Sequence, residues 1–415
     1  MRRLLIVTIA ILALTASAGP ALAAGGAAPA ASSGVQTPAQ ADSTCEYPIE
    51  LEDATGEQLT LEEPPESIVA LYPSDAQLVY SVGAEDRLEG MPMGPYTEGL
   101  ETEGKTDITA DDGVTPVVEE IIALEPDVVL AANVVTFEED KLNQLRDAGI
   151  DVYVFDSSSS VDDVRSAVEI TGQLTGACDS SDVTLEWMDE RLSIIEGALA
   201  DEPRPSALYA MDGEVYTTGT GTFQHEILTT AGVENVAANA GIEGWGIISD
   251  ETIIDEDPEW ILYGDDAYDE PPVSDAVGET TAMQEDQHFG VDANAMSQPA
   301  PNVVFAIEDI FATVHADAYG EVEADLEAAD ESYEESLADL QTSASDDENA
   351  DEEDADSGNK SNANDSESEM EDEDQGENEG TVQDANESDD EDSIPGFGVP
   401  VALAAIAGLL GLRRL

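Results

Sequence analysis

Residues 117–131, Val117-Val118-Glu119-Glu120-Ile121-Ile122-Ala123-Leu124-Glu125-Pro126-Asp127-Val128-Val129-Leu130-Ala131, run from a helical pattern into a buried strand. The helix covers Val117 to Leu124. Pro126 cannot continue it and marks the break, and Asp127 to Ala131 is a short β-rich run. The same alternation extends in both directions. Upstream, Ser67 to Tyr72 reads as a first buried strand, followed by Pro73 and a helix over Asp75 to Val82. Downstream, a helix over Glu138 to Ala148 ends at Gly149, a C-cap residue, and leads into the strand Asp151 to Phe155. Ser206 to Ala210 and Trp260 to Tyr263 repeat the theme. Asn302 to Phe305 reads either as a further strand or as the lead-in to a helix over Ile307 to Val314. Strands alternating with helices predict an α/β domain with parallel sheets. A helical stretch from Val161 to Leu199, interrupted around Gly176 to Ser181, separates the two halves. Its second part carries Leu185, Met188, Leu192, Ile195 and Leu199 at helical spacing, a stripe read as core packing.

The two ends read as processing and anchoring segments. Met1-Arg2-Arg3 precedes an apolar run from Leu4 to Ala16, and Ala21-Leu22-Ala23 offers small residues for cleavage. The run is too short for a bilayer of about 30 Å, so residues 1–23 are expected to be a removed signal peptide; the Arg pair leaves twin-arginine export open. Residues 24–44 are Ala, Gly, Ser, Pro and Gln, a flexible linker. After a lobe at 45–158, a bridging region at 159–200 and a lobe at 201–320, an acidic amphipathic helix is expected at 321–341. Residues 342–394 are acidic and polar with hardly a hydrophobe, and are expected to form a disordered, extended stalk. It contains sequons at Asn359, Asn364 and Asn386. In the final segment, 395–415, Pro395-Gly396-Phe397 precedes an apolar run and Arg413-Arg414. This tail resembles the PGF-type signal recognised by archaeosortases, which implies cleavage and a lipid anchor; a retained membrane helix is the alternative. Either way the globular part is expected outside the cell membrane.

The formal net charge is -83, from 95 acidic residues against 12 Lys and Arg. Such a chain repels itself in dilute buffer. Molar salt, with a Debye length of about 3 Å, removes most of that repulsion, so the composition is a halophile's. It also argues against nucleic-acid binding, since no basic patch is available for phosphates. Cys45 and Cys178 are the two cysteines. In an exported chain a disulfide is the leading reading; free thiols, or lipidation of Cys45, are the alternatives.

Several segments carry a second resemblance. Glu66 to Ser74, Ser81-Val82-Gly83-Ala84-Glu85-Asp86-Arg87-Leu88-Glu89-Gly90 and the helix ending Leu124-Glu125-Pro126-Asp127-Val128-Val129 match, in order, the cobalamin and iron-siderophore substrate-binding proteins of ABC importers. So do Leu145 to Ile150, Thr171 to Gly176, Gly219 to Phe223, Gly232 to Ala237, Gly244-Trp245-Gly246 and Asp257-Pro258-Glu259-Trp260-Ile261. The resemblance spans about residues 48–318. It implies the class III periplasmic-binding-protein fold, two α/β lobes with central parallel sheets bridged by a long helix, and a ligand held in the cleft between them. Ligands of open parallel sheets sit outside the carboxyl ends of the strands. The expected cleft residues are therefore Tyr72, Ser74, Met93, Tyr96 and Asn133 from the first lobe, and Thr220, Phe223 and Trp245 from the second. The resemblance also implies that Glu119 and Glu251 dock onto the permease of an importer completed by an ATPase.

Catalytic and metal chemistry find no pattern. His225, His288 and His315 are far apart, Ser74 and Ser249 lack a G-x-S-x-G context, and Gly219-Thr220-Gly221 lacks phosphate-loop spacing. The reading is a binding protein with no cofactor, not an enzyme. A structural or adhesive surface glycoprotein is the rival class, but repeats and β-sandwich patterning are missing. Corrinoid, ferric siderophore and haem all suit an aromatic cleft. The scarcity of cations, chiefly Lys105, Lys141, Arg146 and Arg204, favours a neutral or cationic ligand and hence a corrinoid.

Overall fold

The computed structural model describes residues 45–356, apart from 111, 212, 214 and 266. The signal peptide, the linker, the sequons at Asn359, Asn364 and Asn386, and the sorting tripeptide Pro395-Gly396-Phe397 lie outside the described residues.

The helix–Pro–strand step at 117–131 works through two devices. Glu125 ends the helix in the left-handed region, φ 49°. Asp127 Oδ2 then accepts the backbone N–H groups of Glu66 and Ser67, at 2.8 and 3.0 Å, which ties the new strand to the first one. The second half repeats this construction. Asp257 ends its helix at φ 45°, Pro258 follows, and Glu259 Oε1 accepts the Ser206 N–H at 3.2 Å.

An antiparallel hairpin, β1 (Ile49–Glu52) and β2 (Gln58–Leu61), precedes the first lobe. That lobe comprises β3 (Ile68–Ala70), α1 (Pro73–Ser81), β4 (Leu88–Met91), β5 (Thr106–Asp107), α2 (Val118–Leu124), β6 (Val128–Ala131), α3 (Glu139–Asp147) and β7 (Val152–Val154). Its sheet is parallel, in the order β5-β4-β3-β6-β7. Two helices follow, α4 (Val161–Thr175) and α5 (Cys178–Leu199). The second lobe holds β8 (Ser206–Ala210), β9 (Tyr216–Thr218), α6 (Phe223–Thr230), β10 (Glu234–Asn235), α7 (Val236–Asn239), β11 (Trp245–Ile247) and α8 (Asp250–Glu256). It continues with β12 (Trp260–Gly264), α9 (Thr281–Gln284), β13 (His288–Val291), α10 (Ala293–Ser297) and α11 (Val303–Val314). Its sheet is also parallel, β10-β8-β12-β13, while β9 and β11 form a separate antiparallel ribbon. In each lobe the first parallel strand lies between the second and a later strand that follows a helix–Pro step, β6 or β12, so the lobes are topological repeats.

Period-2 alternation places Val69, Val129, Val152 and Val154 in a cluster on one side of the first sheet. Ile68, Ala70, Val128 and Tyr153 face the other way, into a core that continues through α4 and α5 to Ala207 and Tyr209 of the second lobe. The lobes therefore share a packed interior, and a hinge through it would open apolar surface to water.

Two expectations change and one open alternative is decided. The interruption of the bridge shrinks to Gly176-Ala177, because Gly176 alone takes the left-handed turn (φ 72°) and Cys178 already starts α5. Asn302–Phe305 is the start of α11, and the fourth strand of that sheet is β13, whose His288-Phe289-Gly290-Val291 lacks a continuous apolar run. The final helix, α12, spans Ala316–Asp356 rather than 321–341, so the expected start of the stalk at 342 falls inside it. Loss of hydrophobes had set that boundary, but helix propensity persists; after Gly320 no Gly or Pro breaks the chain until Gly358. Leu326, Ala329 and Tyr333 of α12 are buried against the body of the protein. Cys45 and Cys178 form a disulfide, with Cα atoms 5.7 Å apart, which pins the segment before β1 to the start of α5.

Candidate functional site

Pro73 fixes the backbone where β3 gives way to α1, and Asp75 closes that turn. Asp75 Oδ2 accepts the Tyr72 N–H at 3.0 Å and, from the loop after β6, the Ala132 N–H at 2.9 Å. One buried carboxyl thus joins two strand-end loops. Burial pushes its pKa up to about 8, against the opposing pull of these backbone hydrogen bonds. Tyr72 Oη donates to Glu138 Oε2 at 2.8 Å, and Glu138 Oε1 pairs with Lys141 Nζ at 2.9 Å. Burial first, then the Glu138 hydrogen bond, raises the Tyr72 pKa far above its ordinary value, so the hydroxyl stays protonated as a donor.

A cavity of about 440 Å³ opens over these loops. Its wall takes Tyr72, Ser74 and Asp75 from the end of β3, Asn133, Val134 and Phe137 from the segment after β6, and Phe155 to Ser158 from the end of β7. Tyr96 comes from the 3₁₀ turn Pro95–Thr97, which Thr97 Oγ1 closes by accepting the Gly94 N–H at 3.1 Å. The second lobe contributes Ser297, Gln298 and Pro299, at the C-terminal end of α10. The cavity therefore lies between the lobes, outside the carboxyl ends of the first sheet's strands, where open parallel sheets hold ligands. Its lining carries the carboxyls of Asp75 and Asp156 and no Lys or Arg.

Of the expected cleft residues, the structure brings together Tyr72, Ser74, Tyr96 and Asn133. Met93, Thr220, Phe223 and Trp245 are not part of this wall. Met93 is half-buried against the shared core, and Phe223, 4% exposed, is packed inside it at the start of α6. Thr220 is exposed. Trp245 lies on strand β11 rather than in a loop, opposite Thr218. It remains open to solvent, as do Ile247 and its cross-strand neighbour Tyr216. Apart from Ile254 on α8, the exposed large apolar side chains among the described residues gather in two places: Tyr96, Val134 and Phe137 around the cavity, and Tyr216, Trp245 and Ile247 on the ribbon of the second lobe. Phe155 to Ser158 follow a strand and were reachable by the same rule as Tyr72. Ser297 to Pro299 were not, because the strand that leads to them gave no sequence signal. A larger hollow, about 510 Å³, lies among α4, α5 and α6, but it takes no residue from the loops that follow the strands.

Glu119 and Glu251 are each the second residue of a short helix, α2 and α8, and both are exposed. These helices occupy the same place in the two topological repeats, immediately before β6 and β12. The pair is thus related by the internal repeat of the fold.

Two parallel-sheet lobes, a helical bridge and an apolar cleft define the class: a two-lobed solute-binding protein. The chain belongs to the periplasmic binding protein family, whose profile matches residues 68–321; its members bind solutes and are not enzymes. Among its relatives is a "Cobalamin-binding protein" of Halobacterium salinarum, 32% identical over 298 residues, covering 68% of this chain and 79% of the relative. A Bacillus subtilis protein described as an uncharacterized ABC transporter substrate-binding lipoprotein, YvrC, is 27% identical over 283 residues, covering 66% of this chain and 88% of that one. The fold is shared with the solved periplasmic vitamin B12 binding protein of Vibrio cholerae, at a TM-score of 0.50 and 20% identity, covering 61% of this chain and 98% of that structure.

Proposed function

We propose that this protein is the substrate-binding component of an ABC importer, and that it captures a corrinoid between its lobes for delivery to a permease. The observation that carries this reading is the interlobe cavity, aromatic and apolar with two carboxyls and no cation. An anionic ferric chelate would meet no counter-charge there, whereas a corrinoid offers a broad apolar ring edged with neutral amides. The Halobacterium relative, named for cobalamin binding, supports the choice, and the Bacillus relative supports the link to ABC transport. Tyr72, Ser74, Tyr96 and Asn133 would make the first-lobe contacts, with Trp245 available from the second. Glu119 and Glu251 would dock one lobe each onto the permease. The signal peptide and sorting tail would hold the assembly on the outer face of the membrane.

Titration of the folded protein in molar salt with cyanocobalamin, dicyanocobinamide and a ferric hydroxamate siderophore tests the reading. Saturable binding of the corrinoids, and weaker binding of the siderophore, is expected. A preference for the siderophore would replace the ligand, and binding of none of the three would remove the transport reading altogether.

A further inference from the structure

The turn that presents Tyr96 belongs to the first lobe by sequence, yet the second lobe holds it. Gln298 Nε2 donates to the Tyr96 carbonyl at 3.0 Å, and Asn294 Nδ2 donates to the Pro95 carbonyl at 3.3 Å. Gln298 is itself fixed from a third side, since its Oε1 accepts a hydrogen bond from Gln77 Nε2 of α1. Asn302 Nδ2 in turn reaches Gln77 Oε1 at 3.4 Å. The seam between the lobes at this edge of the cavity is therefore built from neutral carboxamides and peptide carbonyls. In a chain with a net charge of -83 that choice has a physical consequence. Neutral hydrogen bonds are not screened by salt, whereas ion pairs between exposed charges would be.

Gln298 is 8% exposed and also forms part of the cavity wall. The ring of Tyr96, whose backbone it grips, lies on the same wall and is 42% exposed. A shift of the second lobe would thus be passed to the Tyr96 backbone. We propose that Gln298 is a positioning residue of the cleft, clasping the Pro95–Thr97 turn from the opposite lobe and so setting where Tyr96 meets the ligand. This rests on the interlobe cavity being the ligand site. Gln298 acts through Tyr96, and its effect on affinity should vanish when the Tyr96 ring is gone.

Two measurements test this. In the first, Gln298→Met and Tyr96→Ala are combined in a double-mutant cycle, with dicyanocobinamide and cyanocobalamin as probes and unfolding followed alongside. Gln298→Met should weaken binding about three- to tenfold, the range of one neutral hydrogen bond, in the Tyr96 background. It should change binding less than about twofold in the Tyr96→Ala background. Gln298→Glu, which keeps an acceptor for Gln77 but has no donor for the Tyr96 carbonyl, should reproduce the loss if Met fails to fold. Equal losses in both backgrounds at unchanged stability would overturn the proposal. In the second, hydrogen exchange of the ligand-free protein should quicken across residues 94–100 in either Gln298 variant; unchanged exchange there would equally overturn it. If the wild-type chain binds neither corrinoid, the corrinoid reading falls, and the exchange comparison alone decides the clasp.

Discussion

Asp75 is a carboxyl in a place where a charge is costly, and its pH response follows from that. In an unfolded chain an Asp titrates near about 3.9; in the folded protein burial pushes Asp75 up to about 8. A group whose folded pKa is raised binds more protons in the native state between those values. The stability tied to it is complete below about pH 4 and is lost as pH rises through about 8. Asp75→Asn cannot ionise, and its amide oxygen can still accept the Tyr72 and Ala132 N–H groups. The stability of wild type relative to this variant should therefore fall between about pH 4 and 8 and level off above, as measured by urea unfolding in molar salt. A pH-independent difference would show that Asp75 titrates normally. The neighbouring Tyr72 and Ser74 were legible in the sequence because they follow a recognisable strand. The role of Asp75 was not, since an acidic residue in so acidic a chain reads as one more surface charge.

At the scale of elements, the β9–β11 ribbon depends on a close approach at Gly219. Its N–H donates to the Gly244 carbonyl at 2.7 Å, and a Cβ on Gly219 would lie 1.9 Å from the Ile242 carbonyl oxygen. Gly219→Ala should cost about 1–3 kcal/mol of stability and disturb the ribbon that carries Trp245, so the thermal unfolding midpoint should fall. A second element-level hub joins α5, α11 and α12. Arg191, 1% exposed, pairs with Glu308 of α11 and Asp330 of α12, and its guanidinium lies 4.9 Å from the Phe305 ring centroid and 5.7 Å from that of Trp187. Trp187 Nε1 also donates to Asp330 Oδ1 at 2.8 Å, and Tyr333 of α12 stacks on the Trp187 ring at 4.7 Å. Arg191→Met would leave two buried carboxylates without their cation and should cost about 3–5 kcal/mol. Adding Glu308→Gln and Asp330→Asn should recover part of that loss in urea titrations; no recovery would mean that packing, not charge, dominates the hub. The apolar stripe on α5 was visible as core packing, whereas Arg191 on the same helix gave no sign that its partners lay more than a hundred residues away.

For the whole molecule, the disulfide and the charge set the conditions of stability. Cys45 and Cys178 enclose a loop with a sequence separation of 133, and in the chain-entropy treatment such a closure contributes roughly 5 kcal/mol. Reduction should therefore lower the urea midpoint markedly while leaving corrinoid binding at low denaturant intact, since neither cysteine lines the cavity. The net charge of -83 predicts a further loss when salt is withdrawn, with circular dichroism collapsing well below molar concentrations. A saturating corrinoid should oppose both losses. Ligand at a hundred times its Kd adds about 2.7 kcal/mol to the native state.

The sequence by itself determined the class of fold and the end of the first sheet over which the cavity opens. Those depend on local matters: where a helix ends, where a proline forbids another turn, and which apolar run follows. The segment Val117–Ala131 contains all three, and its echo at Asp250–Tyr263 shows that the second lobe is built on the same plan. Tertiary structure alone decided which loops share a wall. Phe223, an expected contact, went into the core because α6 packs inward, while Ser297 to Pro299 reached the cleft through a strand with no clear apolar signature. The same holds for the clasp of Gln298 on Tyr96, which joins positions 202 residues apart. Such pairings depend on how two lobes pack against a shared core, and no pattern within either segment encodes that distance.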